Sequence, residues 1–233
     1  MAGERDIARW LAETSLSRAI GRPEPPPPKP APQRVHLPRP APPPADLWKT
    51  IASRRSRRDY SARPLSLETL AALLWASQGV TSPGLTVSLR AAPSAGALYP
   101  VNTWVAARRI ENLSPGLWRL DVASFALEAM AVGEGLFARL ERAALGQGAV
   151  RKAAATIVFT ATVERCSSKY GQRAARYIML DCGHLCQNLL LAAEGLGLGH
   201  CPIGAFLDEE LNRLLNIDGA REAAIYLATI GHR

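Results

Sequence analysis

The sequence has no paired CxxC knuckles, no long apolar run and no glycine-rich phosphate loop, and each absence removes a class of function. Its four cysteines stand at Cys166, Cys182, Cys186 and Cys201, without the spacing of a zinc knuckle. On a helix, Cys182 and Cys186 share a face that His184 does not. The cysteines therefore read as reduced, buried small hydrophobes, and no metal is expected. No stretch approaches the roughly 20 apolar residues that a membrane-spanning helix needs. The first residues, MAGERDIARWLAETSLSRAIG, mix acids and bases with spaced apolar side chains, unlike a signal peptide, so a cytoplasmic location is expected. Neither GxGxxG after a first strand nor a GKS or GKT loop occurs, which leaves Rossmann and P-loop readings without support. Charge of one sign is also limited. The net +8 over 233 residues could attract an anionic cofactor, but there is no basic–aromatic alternation, so no nucleic-acid partner is expected.

What the chain does have is strongly segmented. Residues 4–20 carry Ile7, Trp10, Leu11, Leu16 and Ile20 at helical spacing and predict a short amphipathic helix. Twelve of the eighteen prolines then fall between Arg22 and Ala45. Proline fixes φ and removes a donor, so this arm is extended chain that cannot join a core helix. It reads as a spacer or a strap over the domain surface rather than as a ligand for a proline-binding partner. The expected division is thus an arm over residues 1–45 and one core domain over 46–233. In that core, helices are expected from 47, after a Ser66 cap, over 134–146, over 172–195 and at 208–215. Strands are expected at 103–107, 116–120, 155–162 and 223–230. Helices interleaved with antiparallel-capable strands give an α+β class.

One run stands out as chemistry. Arg54, Arg55, Ser56, Arg57 and Arg58 put four guanidinium forks and a hydroxyl within five positions, which suits a phosphate and would be costly to bury. A solvated basic face would look the same in isolation, so the run has to be weighed with the rest of the chain.

RRSRRDY (54–60), APSAGALYP (92–100), the stretch from Lys169 to Gly199 and CPIGAF (201–206), in this order, resemble the nitroreductase-like FMN-dependent oxidoreductases. The resemblance is strongest to their SagB-type branch, the azoline dehydrogenases of thiazole/oxazole peptide pathways, and it covers roughly residues 47–233. It implies a nitroreductase-like fold, with a central, mostly antiparallel sheet flanked by helices and an FMN site built from two subunits of an obligate homodimer. By the same resemblance Arg54, Arg55, Ser56 and Arg58 would hold the phosphate and ribityl chain. Pro93, Ser94, Ala95 and Ala97 would cover the flavin from the neighbouring subunit. Pro202, Ile203, Gly204 and Ala205 would face the isoalloxazine edge, where a backbone N–H can reach N5. Other members carry a late basic pair for the phosphate. Here only Arg233 occupies that region, so the opening arginines are expected to bear more of the grip.

In the azoline dehydrogenases a Lys-Tyr pair is implied in proton transfer, and Lys169 and Tyr170 occupy the matching positions. Lysine beside an apolar ring can act as a base, and tyrosine can donate or relay a proton. Two other readings stay open. One is an NAD(P)H-dependent reductase of quinones or nitro compounds. The other is a flavin-free scaffold component of a peptide-modifying complex, docked by the proline-rich arm.

Overall fold

The computed structural model describes residues 33–41, 44–84 and 87–233. The expected helix over 4–20 lies outside them. In chain order the elements are β1 (Arg34–His36), α1 (Leu47–Ser53), α2 (Leu67–Gln78), β2 (Val80–Ser82), β3 (Leu89–Arg90), β4 (Val101–Ala107), β5 (Gly116–Asp121) and β6 (Ala126–Met130). They continue as α3 (Leu136–Ala143), α4 (Gly148–Lys152), β7 (Ala155–Thr162), α5 (Val163–Tyr170), α6 (Ala174–Gly195), β8 (Leu198–Ile203), α7 (Asp208–Leu215) and β9 (Glu222–His232).

Seven strands form one antiparallel sheet in the order β1-β6-β5-β4-β7-β9-β8. The strand period of two splits its side chains between two cores. Val105, Ile157 and Phe159 face Leu70, Leu73 and Leu74 of α2 and Leu185 and Leu189 of α6. Their neighbours Trp104 and Val158 face Leu140 of α3 and Leu211 and Leu214 of α7. Among the described residues no helix is long and apolar enough to cross a membrane.

The arm contributes more than a strap. Its residues 34–36 pair with β6 as an edge strand of the main sheet, so the sheet draws on residues upstream of 46. Local signals explain other elements. Ser66 accepts the Thr69 N–H at 3.1 Å and caps α2. Gly79 ends that helix for a packing reason and not for a left-handed turn. Its φ is −57°, and a Cβ there would lie 2.2 Å from Trp75 Cδ1. CPIGAF divides: Cys201, Pro202 and Ile203 end the edge strand β8, and Gly204 and Ala205 begin the loop. Proline is tolerated in β8 because an edge position has an unpaired N–H to lose.

Two glycines fix the arginine run to the sheet. The Tyr60 ring lies over Gly199 of β8 and Gly231 of β9, where added Cβ atoms would stand 3.0 and 2.9 Å from it. Its hydroxyl meets Thr229 Oγ1 at 2.7 Å and donates to the Arg57 carbonyl at 2.7 Å. Gly231→Ala is expected to push Tyr60 off this seat and destabilise the fold by about 1–3 kcal/mol. Urea unfolding monitored by circular dichroism would read the change, and an unaltered midpoint would refute this role for the glycine.

Candidate active site

The arginine run leaves α1 at Arg54 and follows the outer edge of β8, where the Arg57 N–H donates to the His200 carbonyl at 2.8 Å. Arg55 turns back to the carbonyls of Ala52 and Arg54 at 3.0 and 2.8 Å, while Ser56 and Arg58 are exposed. Among the described residues, none of the four arginines has a carboxylate within ion-pair distance; Asp59, at the end of the run, pairs with Lys152 instead. Uncompensated cations held close together suit an anionic group.

Beside the run, Glu194 gathers three groups. Ser53 Oγ donates to one carboxylate oxygen at 2.9 Å, and Arg233 Nη2 and His200 Nε2 approach the other at 2.5 and 3.3 Å. Burial alone would raise the Glu194 carboxyl, but the bonds from Arg233 and Ser53 outweigh it and hold the group below its ordinary value. Arg233 is thus brought to the arginine run, with part of its guanidinium committed to Glu194 and its Nε to the Leu198 carbonyl at 3.2 Å.

His200 is fully buried, and its Nδ1 has no hydrogen-bond partner. Burial pushes its imidazole below the ordinary 6.5; the Glu194 bond opposes the shift, and Arg54 and Arg233 add to it. The folded ring stays neutral where the unfolded one takes a proton, so this contribution to stability is present above 6.5 and declines as pH falls below it. His200→Gln is expected to flatten the loss of unfolding free energy on acidification just below pH 6.5. Urea titrations at stepped pH measure that slope, and an identical slope in the variant would disprove the assignment.

A second cluster lies on the other stretch of α6. Ser94 Oγ donates to Asp181 Oδ2 at 2.5 Å, the Ala95 N–H reaches Oδ1 at 3.2 Å, and the Tyr99 N–H donates back to Ser94 Oγ at 2.9 Å. Burial raises the Asp181 carboxyl above its ordinary range, and the Ser94 and Ala95 bonds oppose the rise. These contacts hold a loop in which Gly96, Ala97 and Tyr99 all have positive φ, at 61°, 54° and 46°. Such strained backbone persists where its surroundings over-determine it.

That loop meets the Lys-Tyr pair. A Cβ on Gly96 would lie 2.7 Å from the Tyr170 hydroxyl and 2.8 Å from Lys169 Nζ. Both residues end α5, Lys169 exposed and Tyr170 half-buried. The Tyr170 ring rests on Tyr177 of α6, with centroids 4.6 Å apart. Pro93 is exposed, and Ala95 and Ala97 are half-buried. The loop and the pair therefore come together, as do the arginine run and Arg233. Gly204 comes four residues after His200, just past the end of β8, and both Gly204 and Ala205 are exposed while Ile203 is buried.

Sequence reasoning missed Asp181, Glu194, His200 and Gly96. The two acids did carry a signal, since each interrupts an otherwise apolar stripe of α6 beside Cys182 or Ala193. The thiols play no visible part. All four are buried and free, and burial pushes Cys166 up to about 11 and Cys186 up to about 12. No group of three metal-ligating side chains occurs among the described residues.

An antiparallel sheet of this order with helices on both faces is the nitroreductase fold. The sequence pattern of the Nitroreductase family matches residues 51–232. A Methanocaldococcus jannaschii protein named as a nitroreductase is 32% identical over 183 residues, covering 78% of this chain and 89% of the relative. A nitroreductase structure from Anabaena variabilis superposes with a TM-score of 0.73 at 31% identity, over 86% of this chain and 41% of that one. A chain of the Escherichia coli microcin synthetase McbBCD complex with truncated pro-MccB17 bound gives a TM-score of 0.65 at 24% identity, over 79% and 72%. The chain belongs to the nitroreductase family and is an oxidoreductase of that family.

Proposed function

We propose that the chain is an FMN-dependent dehydrogenase of azolines within peptides, acting as a homodimer with two composite sites. The observation that carries the reading is the meeting of Gly96 with Lys169 Nζ and the Tyr170 hydroxyl, a base and a proton relay set against a loop of small residues. Aromatising a thiazoline or oxazoline removes one hydride and one proton from the ring. Bound FMN would supply the hydride acceptor. Lys169 takes the carbon-bound proton, and Tyr170, propped on Tyr177, orients the amine and passes the proton on. Pro93, Ser94, Ala95 and Ala97 give backbone small enough to approach a flat ring, and Asp181 fixes that backbone. Arg54, Arg55, Ser56, Arg58 and Arg233 would hold the phosphate and ribityl chain, with Pro202, Ile203, Gly204 and Ala205 at the ring edge.

The lengths involved support a site shared by two subunits. Ser53 meets α6 at Glu194, and Ser94 meets it at Asp181. The thirteen-residue separation of Asp181 and Glu194 spans about 20 Å of helix. This separation supports a site in which one copy supplies the arginine run and β8 loop while its partner supplies the Ser94 loop and the Lys-Tyr pair. Uncovered apolar surface supports the same pairing: Leu180 on α6 and Leu47, Trp48 and Ile51 on α1 are exposed, Trp48 by 78%. The likeness to a chain of a peptide-bound synthetase complex supports a peptide substrate. The archaeal relative's name favours a second reading, NAD(P)H-driven reduction of nitro compounds or quinones.

The test combines a visible spectrum of the purified protein with turnover of an azoline peptide by the wild type and by Lys169→Ala. A yellow protein that aromatises the peptide, with a loss of about 10²–10⁴-fold in the variant, is the expected result. If the wild type only oxidises NAD(P)H with a quinone and Lys169→Ala is equally fast, the dehydrogenase reading is wrong.

A further inference from the structure

Two adjoining surface cavities, of about 540 and 390 Å³, share the walls formed by Arg90, Val122, Ala123 and Arg165. Each is within the size range of ligand sites, roughly 300–1,000 Å³. The larger has Ala97, Leu98 and Tyr99 for its floor, the same strained loop whose Gly96 abuts Lys169 and Tyr170. Its lining also includes the apolar Val80, Pro83 and Val87, which the smaller cavity lacks. The smaller ends at Asp121 and Glu128.

The shared wall is electrostatically unfinished. Arg90 is half-buried, with its guanidinium 4.3 Å over the Tyr99 ring and its Nη1 donating to the Gln78 amide oxygen at 2.5 Å. Arg165 donates to the Asn102 amide oxygen at 3.1 Å and to the Tyr99 carbonyl at 3.4 Å. Among the described residues neither has a carboxylate within ion-pair distance, whereas Arg119, on the far lobe, pairs with Glu222 at 3.6 Å. Neutral acceptors therefore hold two guanidinium groups in place and leave their remaining donors facing the groove without a counter-charge. An anion is what such a wall lacks.

The groove also says which anion. A pyrophosphate or other multiply charged group would meet Asp121 and Glu128 along the smaller lobe. A single carboxylate can sit between Arg90 and Arg165 and leave those acids to Arg34, which pairs with both. The apolar residues lining the larger cavity and the polar lobe beside it suit an extended segment and not a compact ligand. We propose that this groove is a substrate-docking channel, which seats an acidic side chain of the peptide against Arg90 and Arg165 and an apolar residue against Val80 and Val87. The inference rests on the peptide-dehydrogenase reading and adds to it a sequence preference, an acidic residue flanking the heterocycle.

The test uses binding alone, so its outcome is separable from that of the catalytic reading. Full-length protein is titrated calorimetrically at low salt with two end-capped pentapeptides, Val-Gly-Glu-Gly-Val and Val-Gly-Gln-Gly-Val. The glutamate peptide is expected to bind about tenfold more tightly. Arg165→Gln is expected to erase the difference, while Arg173→Gln, an exposed cation outside the groove, keeps it. Equal affinities, no binding by either peptide, or a preference that survives Arg165→Gln would each overturn the proposal. So would displacement of the glutamate peptide by inorganic pyrophosphate at concentrations where acetate has no effect, because the site would then be a phosphate site. Azoline turnover without any glutamate preference leaves the dehydrogenase reading standing and removes this one.

Discussion

Gly96→Val is expected to cut azoline turnover by about 100-fold or more while leaving the protein folded and coloured. The residue sits at φ 61°, where a β-branched side chain is strongly disfavoured. The new Cβ would also occupy space 2.7 Å from the Tyr170 hydroxyl and 2.8 Å from Lys169 Nζ. Those atoms are the far ends of mobile side chains, and the surrounding loop is anchored elsewhere, through Ser94 and Ala95 to Asp181. The pair should therefore yield before the fold does. Strain of about 1–2 kcal/mol would lower the unfolding midpoint modestly, and the flavin spectrum would persist because the arginine run is untouched. Gly96→Ala should show the same loss in weaker form. Single-turnover rates alongside thermal unfolding separate the two effects. A variant that unfolds before it slows, or one that turns over normally, would show that the glycine does not set the position of the pair.

Mixing two inactive variants is expected to restore activity. In a composite site, a chain carrying Arg54→Ala with Arg58→Ala lacks the phosphate grip of one site, and a Lys169→Ala chain lacks the proton acceptor of the other. Each homodimer has two crippled sites. A mixed dimer has one site with both defects and one with neither, so it should recover about half the wild-type rate per dimer, as two-fold symmetry requires. The two chains can be given different affinity tags, co-expressed and purified through both, so that only mixed dimers are assayed. A site built within a single chain would leave every mixed dimer inactive. The roughly 20 Å of helix between the two anchor points on α6 is the reason to expect recovery.

The sequence carried the broad architecture because the relevant signals are local. Ser66 caps α2, the β-branched run at 155–162 makes the central strand β7, and Leu185 and Leu189 mark the inward stripe of α6. The short elements were illegible for the same reason. β1 exists only because a distant strand accepts it, and three residues among prolines have no period of their own. α5 was hidden because its eight residues hold just Val163 and Cys166 buried, too few to set a helical pattern. In the site, the arginines, the small-residue loop and the Lys-Tyr pair were identified through family resemblance. Nothing in the sequence said that Gly96 is what the pair touches, because that contact joins residues more than 70 positions apart. Asp181 and Glu194 stand out in the sequence as the only acids of α6, but their partners Ser94 and Ser53 lie on distant elements that the helical pattern does not reveal.

The path of the arginine run along β8 has a further consequence, for solubility. β8 closes the sheet on one side, and an open strand invites pairing with another molecule. Here the Leu198 carbonyl is taken by Arg233, the His200 carbonyl is taken by the Arg57 N–H, and Pro202 has no N–H to offer. The border is thus blunted chemically and fringed with like charge that repels the same border of another molecule. Replacing the exposed arginines of the run with neutral residues would change more than the local charge. It would remove the like-charge repulsion along this rim while the backbone caps stay in place, so light scattering should show association at lower concentrations than for the parent chain.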